Sequence, residues 1–291
     1  MKVFLSGGTG FVGSHLLCKL INEGHEVTAL RRSSESNTAI CLPSEPNWCE
    51  GDLESLETGV LRGIDAVVHL ASAGVSPKQV SWDVLLQVNV AGSLRIMQLA
   101  VAAGVRRFVA SGTSHEYGKA ACRYQAIPPN APLEPINAYG ASKAAAFQLL
   151  HAFAVQEQLE LVYGRIFSAY GEGQYEGNFW PSLRRAAQSD GDFPMSSGKQ
   201  ISDFIPIADV ANHLLAACTR GDVSPGVPLV VNIGSGIASS LLEFAEDEWK
   251  RLGARGKLLP NSLPDRPCQM NRCVADLSGL KIETSSTPFH S

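Results

Sequence analysis

Candidate strands and segments with helical spacing alternate along the first two thirds of the chain. The strand candidates lie at 3–5, 25–30, 48–50, 65–71, 107–111 and from 161 onward. Helical spacing occurs at 15–21, 82–103 and 138–158, and residues 33–47 are expected to form loop and irregular helix. Continuous apolar strands joined by helices favour right-handed crossovers and a parallel sheet covered on both faces. The predicted fold class is therefore α/β, with a doubly wound parallel sheet.

This alternation stops after Ile166, where the chain becomes rich in Gly, Ser and aromatic residues. Two further helices are predicted near 178–189 and 239–252. The apolar runs at 204–207 and 229–233 are expected to return to the sheet. We therefore expect a dinucleotide-binding domain formed by 1–166 plus 203–235, and a smaller, discontinuous C-terminal substrate lobe formed by 167–202 and 236–291.

Composition narrows the functional classes. Apolar residues make up 45% and charged residues 18%, as in ordinary soluble globular proteins, and the net charge of -4 offers no electrostatic footprint for nucleic acid or an anionic membrane. The seven cysteines include no C-x-x-C pair, which favours reduced thiols over disulfides or a metal site. No apolar run approaches the roughly 20 residues of a membrane span. We expect a cytoplasmic protein that binds neither nucleic acid nor membrane.

A glycine-rich turn joins the first strand to the first helix. Gly7 allows a sharp turn, Gly10 allows the backbone to approach a pyrophosphate, and Gly13 allows the helix to pack closely on the strand. The candidate phosphate-binding residues are Gly7, Thr9, Gly10, Phe11, Val12 and Gly13. An ordinary glycine-rich loop is the alternative, since this spacing alone is weak evidence.

A second pattern pairs Tyr139 with Lys143 near the start of a predicted helix. A spacing of four places both residues on one helix face, and a cation beside a phenol favours the phenolate. The pair follows the fifth strand, whose end carries Thr113, and ligands of open α/β sheets bind outside such ends. Thr113 is therefore placed to bond the substrate oxygen that Tyr139 protonates. A routine surface pair is the alternative.

Together these motifs resemble those of an extended short-chain dehydrogenase/reductase, in the NAD-dependent epimerase/dehydratase family that acts on nucleotide sugars. The glycine motif, His69-Leu70-Ala71, the tyrosine–lysine pair and Asp203-Phe204-Ile205 match in order and spacing over about 1–280. The resemblance implies a Rossmann-type sheet, and catalysis by Thr113, Tyr139 and Lys143.

The resemblance also implies a set of cofactor contacts. It implies that Asp52 contacts adenine, that Lys143 binds the nicotinamide ribose, and that Asn89 is the family's structural and proton-relay asparagine. The cofactor cleft that it implies also contains Leu53, Leu70, Ala71 and Tyr139. Without the family resemblance, the alternative for Asp52 is an aspartate that stabilises a turn or caps a helix. The alternative for Asn89 is a polar helical residue with no specific role.

Departures from the family pattern fall on the substrate side. The family's dehydratases carry Thr-Asp-Glu where this chain has Thr113-Ser114-His115, so a dehydratase is disfavoured and Ser114 and His115 become candidate substrate contacts. Ser168 occupies a position at which the family usually has asparagine, and Ser202 occupies one at which it usually has arginine. Arg266 matches a diphosphate-binding arginine, with a solvated loop arginine as the alternative.

Arg31, with Arg32 beside it, ends the second strand, where an NAD enzyme places a carboxylate for the ribose hydroxyls. A guanidinium can instead pair with the 2′-phosphate of NADP. The sequence therefore predicts NADP as cofactor with NAD possible; the alternative is that one or both arginines simply point into solvent.

These observations predict an NADPH-dependent reductase of the 4-keto group of a nucleotide-diphospho-sugar. A nucleotide-sugar 4-epimerase that retains NAD is the alternative in the same class, and a non-catalytic dinucleotide-binding regulator is the alternative from another class. The resemblance implies a homodimer built on the helices at 82–103 and 138–158.

Overall fold

The computed structural model describes residues 1–75, 80–265 and 270–280. The strands of the main sheet are β1 (Lys2–Ser6), β2 (Glu26–Arg31), β3 (Asn47–Glu50), β4 (Ala66–His69), β5 (Arg107–Thr113), β6 (Glu160–Ile166) and β11 (Leu229–Ile233). Shorter strands are β7 (Ser168–Tyr170), β8 (Phe193–Pro194), β9 (Ile201–Ser202), β10 (Phe204–Pro206), β12 (Ser239–Ser240), β13 (Leu258–Leu259) and β14 (Arg272–Cys273). The helices are α1 (Phe11–Asn22), α2 (Trp82–Leu85), α3 (Gly92–Ala102), α4 (Ala138–Gln156), α5 (Phe179–Gln188), α6 (Ile207–Thr219) and α7 (Leu241–Arg251).

Within the described residues, seven strands form one sheet in the order β11-β6-β5-β4-β1-β2-β3, with every neighbouring pair parallel. The order runs outward from β1 in both directions, which confirms the doubly wound Rossmann-type fold. The break between β1 and β4 is the switch point at which such sheets bind ligands, outside the carboxyl ends of the strands.

Two apolar clusters cover the faces of this sheet. One packs α1 and α6 against residues such as Val3, Leu5 and Val68, and the other packs α3 and α4 against residues such as Phe4 and Val67. Alternate residues of β1 therefore enter opposite clusters, as the two-residue period of a strand requires. The sheet is buried on both faces, which explains its continuous apolar strands.

One long helical segment, Trp82–Ala102, consists of α2, a π-helical turn (Leu86–Ala91) and α3. Its length and mean hydropathy of 1.4 are those of a possible membrane span, contrary to the sequence-based expectation of no such run. Ile96, Met97 and Ala100 of this helix are buried against the sheet, so its apolar character matches a helix of the protein core.

The smaller lobe gathers segments that lie before and after β11. Leu183 and Ala187 of α5 pack on Ala245 and Trp249 of α7. Ser240 begins α7 with a capping box, accepting from the Glu243 N–H at 3.1 Å. Strand β9 pairs with both β12 and β14, which joins 201–202 to the later part of the chain.

The structure corrects three details of the sequence-based prediction. The run at 204–207 does not join the main sheet, because β10 pairs with β7 instead and Pro206, which has no N–H, ends it. Helix α6 was not predicted. Residues 32–46, all described, contain no helix, so β2 reaches β3 through a loop.

Candidate active site

The glycine turn closes tightly between β1 and α1. Gly7 has a φ of +80°, and a Cβ at this position would lie 2.6 Å from the backbone nitrogen of Ala71. A Cβ on Gly13 would lie 2.0 Å from the Gly7 carbonyl oxygen. Gly10 is the N-cap residue of α1, and no side chain of the described residues caps that end. The first N–H groups of α1 therefore have no side-chain acceptor and suit an anionic ligand.

His69 ties the turn to the long helix. Its Nδ1 lies 2.7 Å from Ser6 Oγ, and its Nε2 lies 2.8 Å from Ser93 Oγ. Ser93 Oγ donates to the Asn89 carbonyl at 2.6 Å, so it accepts from His69 Nε2–H and leaves Nδ1 to accept from Ser6. Burial, with a smaller effect of the Lys143 charge, lowers the pKa of His69 to about 3. This neutral histidine has a structural role.

Asn89 lies in the π-helical turn and is fully buried. Its Oδ1 accepts from Ala73 N–H at 2.7 Å, and its Nδ2 donates to the Ala73 carbonyl at 3.0 Å and to Ser142 Oγ at 2.9 Å. Ser72 Oγ also donates to Asn89 Oδ1, at 3.1 Å. Asn89 thus fastens the loop after β4 to α4, which carries Tyr139.

The structure brings Tyr139 and Thr113 together at the end of β5. Asn137 caps α4 by accepting from Gly140 N–H at 2.7 Å, which fixes the start of the helix that bears Tyr139. The Thr113 and Ser72 side chains lie close enough to the Tyr139 hydroxyl to affect its pKa. A carbonyl oxygen placed between the Thr113 and Tyr139 hydroxyls can accept a hydrogen bond from both.

Burial raises the pKa of Tyr139 to about 12, and the charge of Glu116 acts in the same direction while hydrogen bonding to Ser72 and Thr113 opposes it. Lys143 is not among these causes, so the expectation that it lowers the pKa of Tyr139 stays a prediction. Lys143 is itself buried, which lowers its own pKa, while the charge of Glu116 opposes that shift. Tyr139 is a protonated phenol at neutral pH, which makes it a proton donor.

Glu116 and Arg165 form a buried ion pair beneath Thr113. Arg165 Nε donates to Glu116 Oε2 at 2.6 Å, and both side chains are at most 1% exposed. Glu116 Oε1 accepts from the Thr113 N–H and from the Tyr163 hydroxyl, each at 2.9 Å. Arg165 Nη1 donates further to the Tyr117 hydroxyl at 3.2 Å. The pair therefore holds the backbone of Thr113 in place through the bond from its N–H to Glu116.

Arg31 lies against the neighbouring strand β3. Its Nη2 donates to Glu50 Oε1 at 2.8 Å, and its guanidinium carbon lies 5.0 Å from the centre of the Trp48 ring. Its Nε is buried without a hydrogen-bond partner among the described residues. Arg32 is exposed. The alternative that one or both arginines simply point into solvent fits Arg32 but not Arg31, whose side chain is only 20% exposed.

The other predicted cofactor residues lie along the same sheet edge. Asp52 Oδ1 accepts from Ser55 N–H at 2.8 Å and from Glu54 N–H at 3.0 Å, so this oxygen stabilises a turn. Leu53 is buried against α3, and its carbonyl accepts from Arg95 Nε at 3.0 Å. The remaining positions are partly exposed along the glycine turn: Thr9, Phe11, Val12, Leu70 and Ala71.

The predicted substrate residues have different surroundings. His115 is exposed, its ring centre lies 6.2 Å from that of Tyr139, and its Nδ1 lies 3.1 Å from Asn137 Nδ2. Ser114 is buried, with its hydroxyl near Cys273. Ser168 is exposed at the start of β7. Arg266 lies outside the described residues.

Several residues of the site were missed at the level of sequence. Ser72, Ser142, Glu116 and Arg165 contact the predicted residues, yet each is an ordinary polar residue in the sequence. For Ser72 the sequence contained one indication, which is its position among the small residues that follow β4. Ligands of open α/β sheets bind at the ends of such strands. The described part of the chain contains no cluster of three or more His, Cys, Asp or Glu side chains suited to a metal ion.

These features fit a nicotinamide dinucleotide. The uncapped end of α1 suits a pyrophosphate, and Tyr139 and Lys143 lie beyond it, at the ends of the central strands. Arg31 suits an anionic group on the adenosine side. These residues can therefore supply polar contacts to such a ligand.

Residues 3–234 match the sequence model of the NAD dependent epimerase/dehydratase family. A UDP-glucose 4-epimerase of Corynebacterium glutamicum is 28% identical over 310 residues, covering 100% of this chain and 92% of that protein. UDP-glucuronic acid decarboxylase 1 of Xenopus tropicalis is 28% identical over 272 residues, covering 88% of this chain but only 62% of that protein. The solved structure of MoeE5 in complex with UDP-glucuronic acid and NAD superposes with a TM-score of 0.82 at 30% identity, over 96% of this chain and 91% of that one.

Proposed function

This chain belongs to the NAD-dependent epimerase/dehydratase family of extended short-chain dehydrogenase/reductase enzymes, and on that basis we propose that it reduces the 4-keto group of a nucleotide-diphospho-sugar with NADPH. The family relationship supports the general class, which is an enzyme of nucleotide-sugar metabolism with a nicotinamide dinucleotide cofactor. The direction of the reaction and the choice of NADPH are the proposal.

The observation that carries the proposal is the protonated Tyr139 beside Thr113. Reduction of a carbonyl requires a proton donor at the oxygen, and a phenol whose pKa is raised to about 12 holds its proton at neutral pH. Thr113 orients the carbonyl oxygen by donating a second hydrogen bond. Tyr139 is partly buried, which reduces its contact with bulk water.

A reduced nicotinamide bound here would supply the hydride for the carbonyl carbon. The residues that would hold the dinucleotide are the N–H groups of the glycine turn at the pyrophosphate, Lys143 at the nicotinamide ribose and Arg31 at the 2′-phosphate. Tyr139 would donate its proton to the former carbonyl oxygen, which becomes the product hydroxyl. Ser72 lies near Tyr139 and donates to Asn89 Oδ1 at 3.1 Å, so it links the surroundings of Tyr139 to the buried Asn89.

The proposed preference for NADPH rests on Arg31 at the end of β2, where a carboxylate would repel a 2′-phosphate. We expect a preference for NADPH over NADH of at least about tenfold, about 1.4 kcal/mol, which one charge-assisted pair can supply. Arg31→Asp should shrink or reverse it.

The deciding experiment supplies the purified protein with a panel of 4-keto nucleotide sugars and each reduced cofactor. We expect consumption of NADPH with one member of the panel, and a sugar nucleotide alcohol as product. A protein that consumes no reduced cofactor, but interconverts two nucleotide sugars epimeric at C4, would contradict the proposal.

That outcome corresponds to the second candidate, a nucleotide-sugar 4-epimerase. The similarity to the Corynebacterium glutamicum 4-epimerase over the whole chain favours it. An epimerase must return its hydride to the same substrate and therefore retains NAD. Purified protein that carries bound NAD, or binds NADH as tightly as NADPH, would favour this candidate.

We also propose that the enzyme is a cytoplasmic homodimer. The outer faces of the long helical segment and α4 carry large exposed apolar residues, namely Trp82, Val84, Leu86, Leu149 and Val155. Large exposed apolar residues on two packed helical segments favour an interaction site. Light scattering should give twice the monomer mass, and Trp82→Glu should shift the protein toward monomer; a monomeric wild type would contradict this proposal.

A further inference from the structure

Glu50 ends the strand beside the one that carries Arg31. The two residues are register partners on β3 and β2, and both lie at the carboxyl ends of their strands. Arg31 Nη2 donates to Glu50 Oε1 at 2.8 Å, while the side chain of Glu50 remains 50% exposed. The pair therefore lies at the sheet edge where the adenosine half of a dinucleotide binds.

The strand neighbours fix the guanidinium in this position. Trp48, two residues before Glu50, lies on the same face of β3 and packs against the Arg31 guanidinium with its carbon 5.0 Å from the ring centre. Arg31 Nε is buried without a partner among the described residues, so part of the donor fork is still unused. Glu50 would therefore compete with an anionic ligand for the Arg31 guanidinium, which is held in position by Trp48.

We propose that Glu50 is a second cofactor-selectivity residue, which acts through Arg31 to limit the preference for NADPH. Its carboxylate engages one amino group of Arg31 and offsets its charge, so a 2′-phosphate must displace or share that contact. Without a 2′-phosphate no such exchange is needed, and NADH binds beside the intact pair. The inference rests on the proposed dinucleotide-dependent function and adds a residue that opposes Arg31.

The test compares the dissociation constants of NADPH and NADH for the wild type and for Glu50→Gln, by calorimetry in the absence of any sugar. Removal of the charge frees Arg31, so the ratio of the NADH constant to the NADPH constant should rise about tenfold, mainly through tighter NADPH binding. Glu50→Ala should show the same direction if the glutamine variant folds poorly. Glu57→Gln, which removes an equal charge from an exposed loop residue, should leave the ratio unchanged.

The double variant Arg31→Ala/Glu50→Gln separates action through Arg31 from direct repulsion of the phosphate. Compared with Arg31→Ala alone, it should show no gain in selectivity, because the residue that Glu50 opposes is absent. An unchanged ratio in Glu50→Gln, or the same tenfold gain in the Arg31→Ala background, would overturn the inference.

The outcomes also separate this inference from the proposed reaction. A protein that binds both dinucleotides but reduces no nucleotide sugar contradicts the reaction, and the Glu50 comparison still stands. A protein that binds neither dinucleotide contradicts both.

Discussion

Tyr139 holds its proton because it is buried, and this is the residue on which the proposed chemistry depends. Tyr139→Phe keeps the ring and removes the donor, so we expect turnover to fall about 10²-fold or more while dinucleotide affinity persists. Single-turnover rates and cofactor titrations measure the two effects separately. Near-wild-type turnover in this variant would show that another group protonates the product.

The pH dependence follows from the direction of the same shift. The raised pKa of Tyr139, about 12, means that the active, protonated form is fully present at and below neutral pH and is lost only as pH rises toward that value. We expect kcat/KM for ketone reduction to show no loss through Tyr139 between pH 6 and 9. A decline as pH rises through 7–8 that is absent from the residual activity of Tyr139→Phe would mean that the phenol pKa is lowered instead.

Glu116 gives a prediction about stability. Glu116→Gln leaves the buried Arg165 guanidinium without its counter-charge, which typically costs about 3–5 kcal/mol of unfolding free energy. Urea unfolding measures this loss. Glu134→Gln, which breaks the exposed pair with Arg123, is the matched control and should change stability little. Replacing both partners, with Glu116→Gln and Arg165→Met, should recover part of the loss.

At the scale of elements, the turn between β1 and α1 tolerates no Cβ at Gly13, since that atom would lie 2.0 Å from a backbone oxygen. We expect Gly13→Ala to lower dinucleotide affinity at least tenfold and to destabilise the fold by about 1–3 kcal/mol. Gly59 has open space around it, so Gly59→Ala is the matched control and should be neutral. An affinity of Gly13→Ala equal to that of the wild type would show that the turn takes no part in binding.

The elements that could be predicted are those with a strong local signal. Strands β1 and β4 are continuous apolar runs, and the glycine turn has a spacing with a physical reason, so both follow from sequence. Helix α6 was missed because its start directly follows the short strand β10, and an apolar run at that point does not distinguish strand from helix. The partners of a side chain depend on distant segments, so the contact between Arg31 and Glu50 could not be read from sequence.

At the scale of the whole molecule, Asp203 joins the smaller lobe to the sheet. The buried carboxylate accepts from the N–H groups of Ser235 at 2.6 Å, Gly236 at 2.9 Å and Ala275 at 3.1 Å. Sequence indicated Asp203 only as part of a family motif. Its role depends on residues 32 to 72 positions away, and such long-range contacts carry no local signal.

The edge position of β11 has a consequence for synthesis of the chain on the ribosome. β6 is complete at Ile166, but the strand that covers its free edge begins only at Leu229. At ~5–20 residues per second, the ribosome takes on the order of 3–12 seconds to make the residues between them. During that interval the edge of the largely apolar strand β6 is unpaired and can associate with other chains. A chaperone that binds the nascent chain would be needed most in this period.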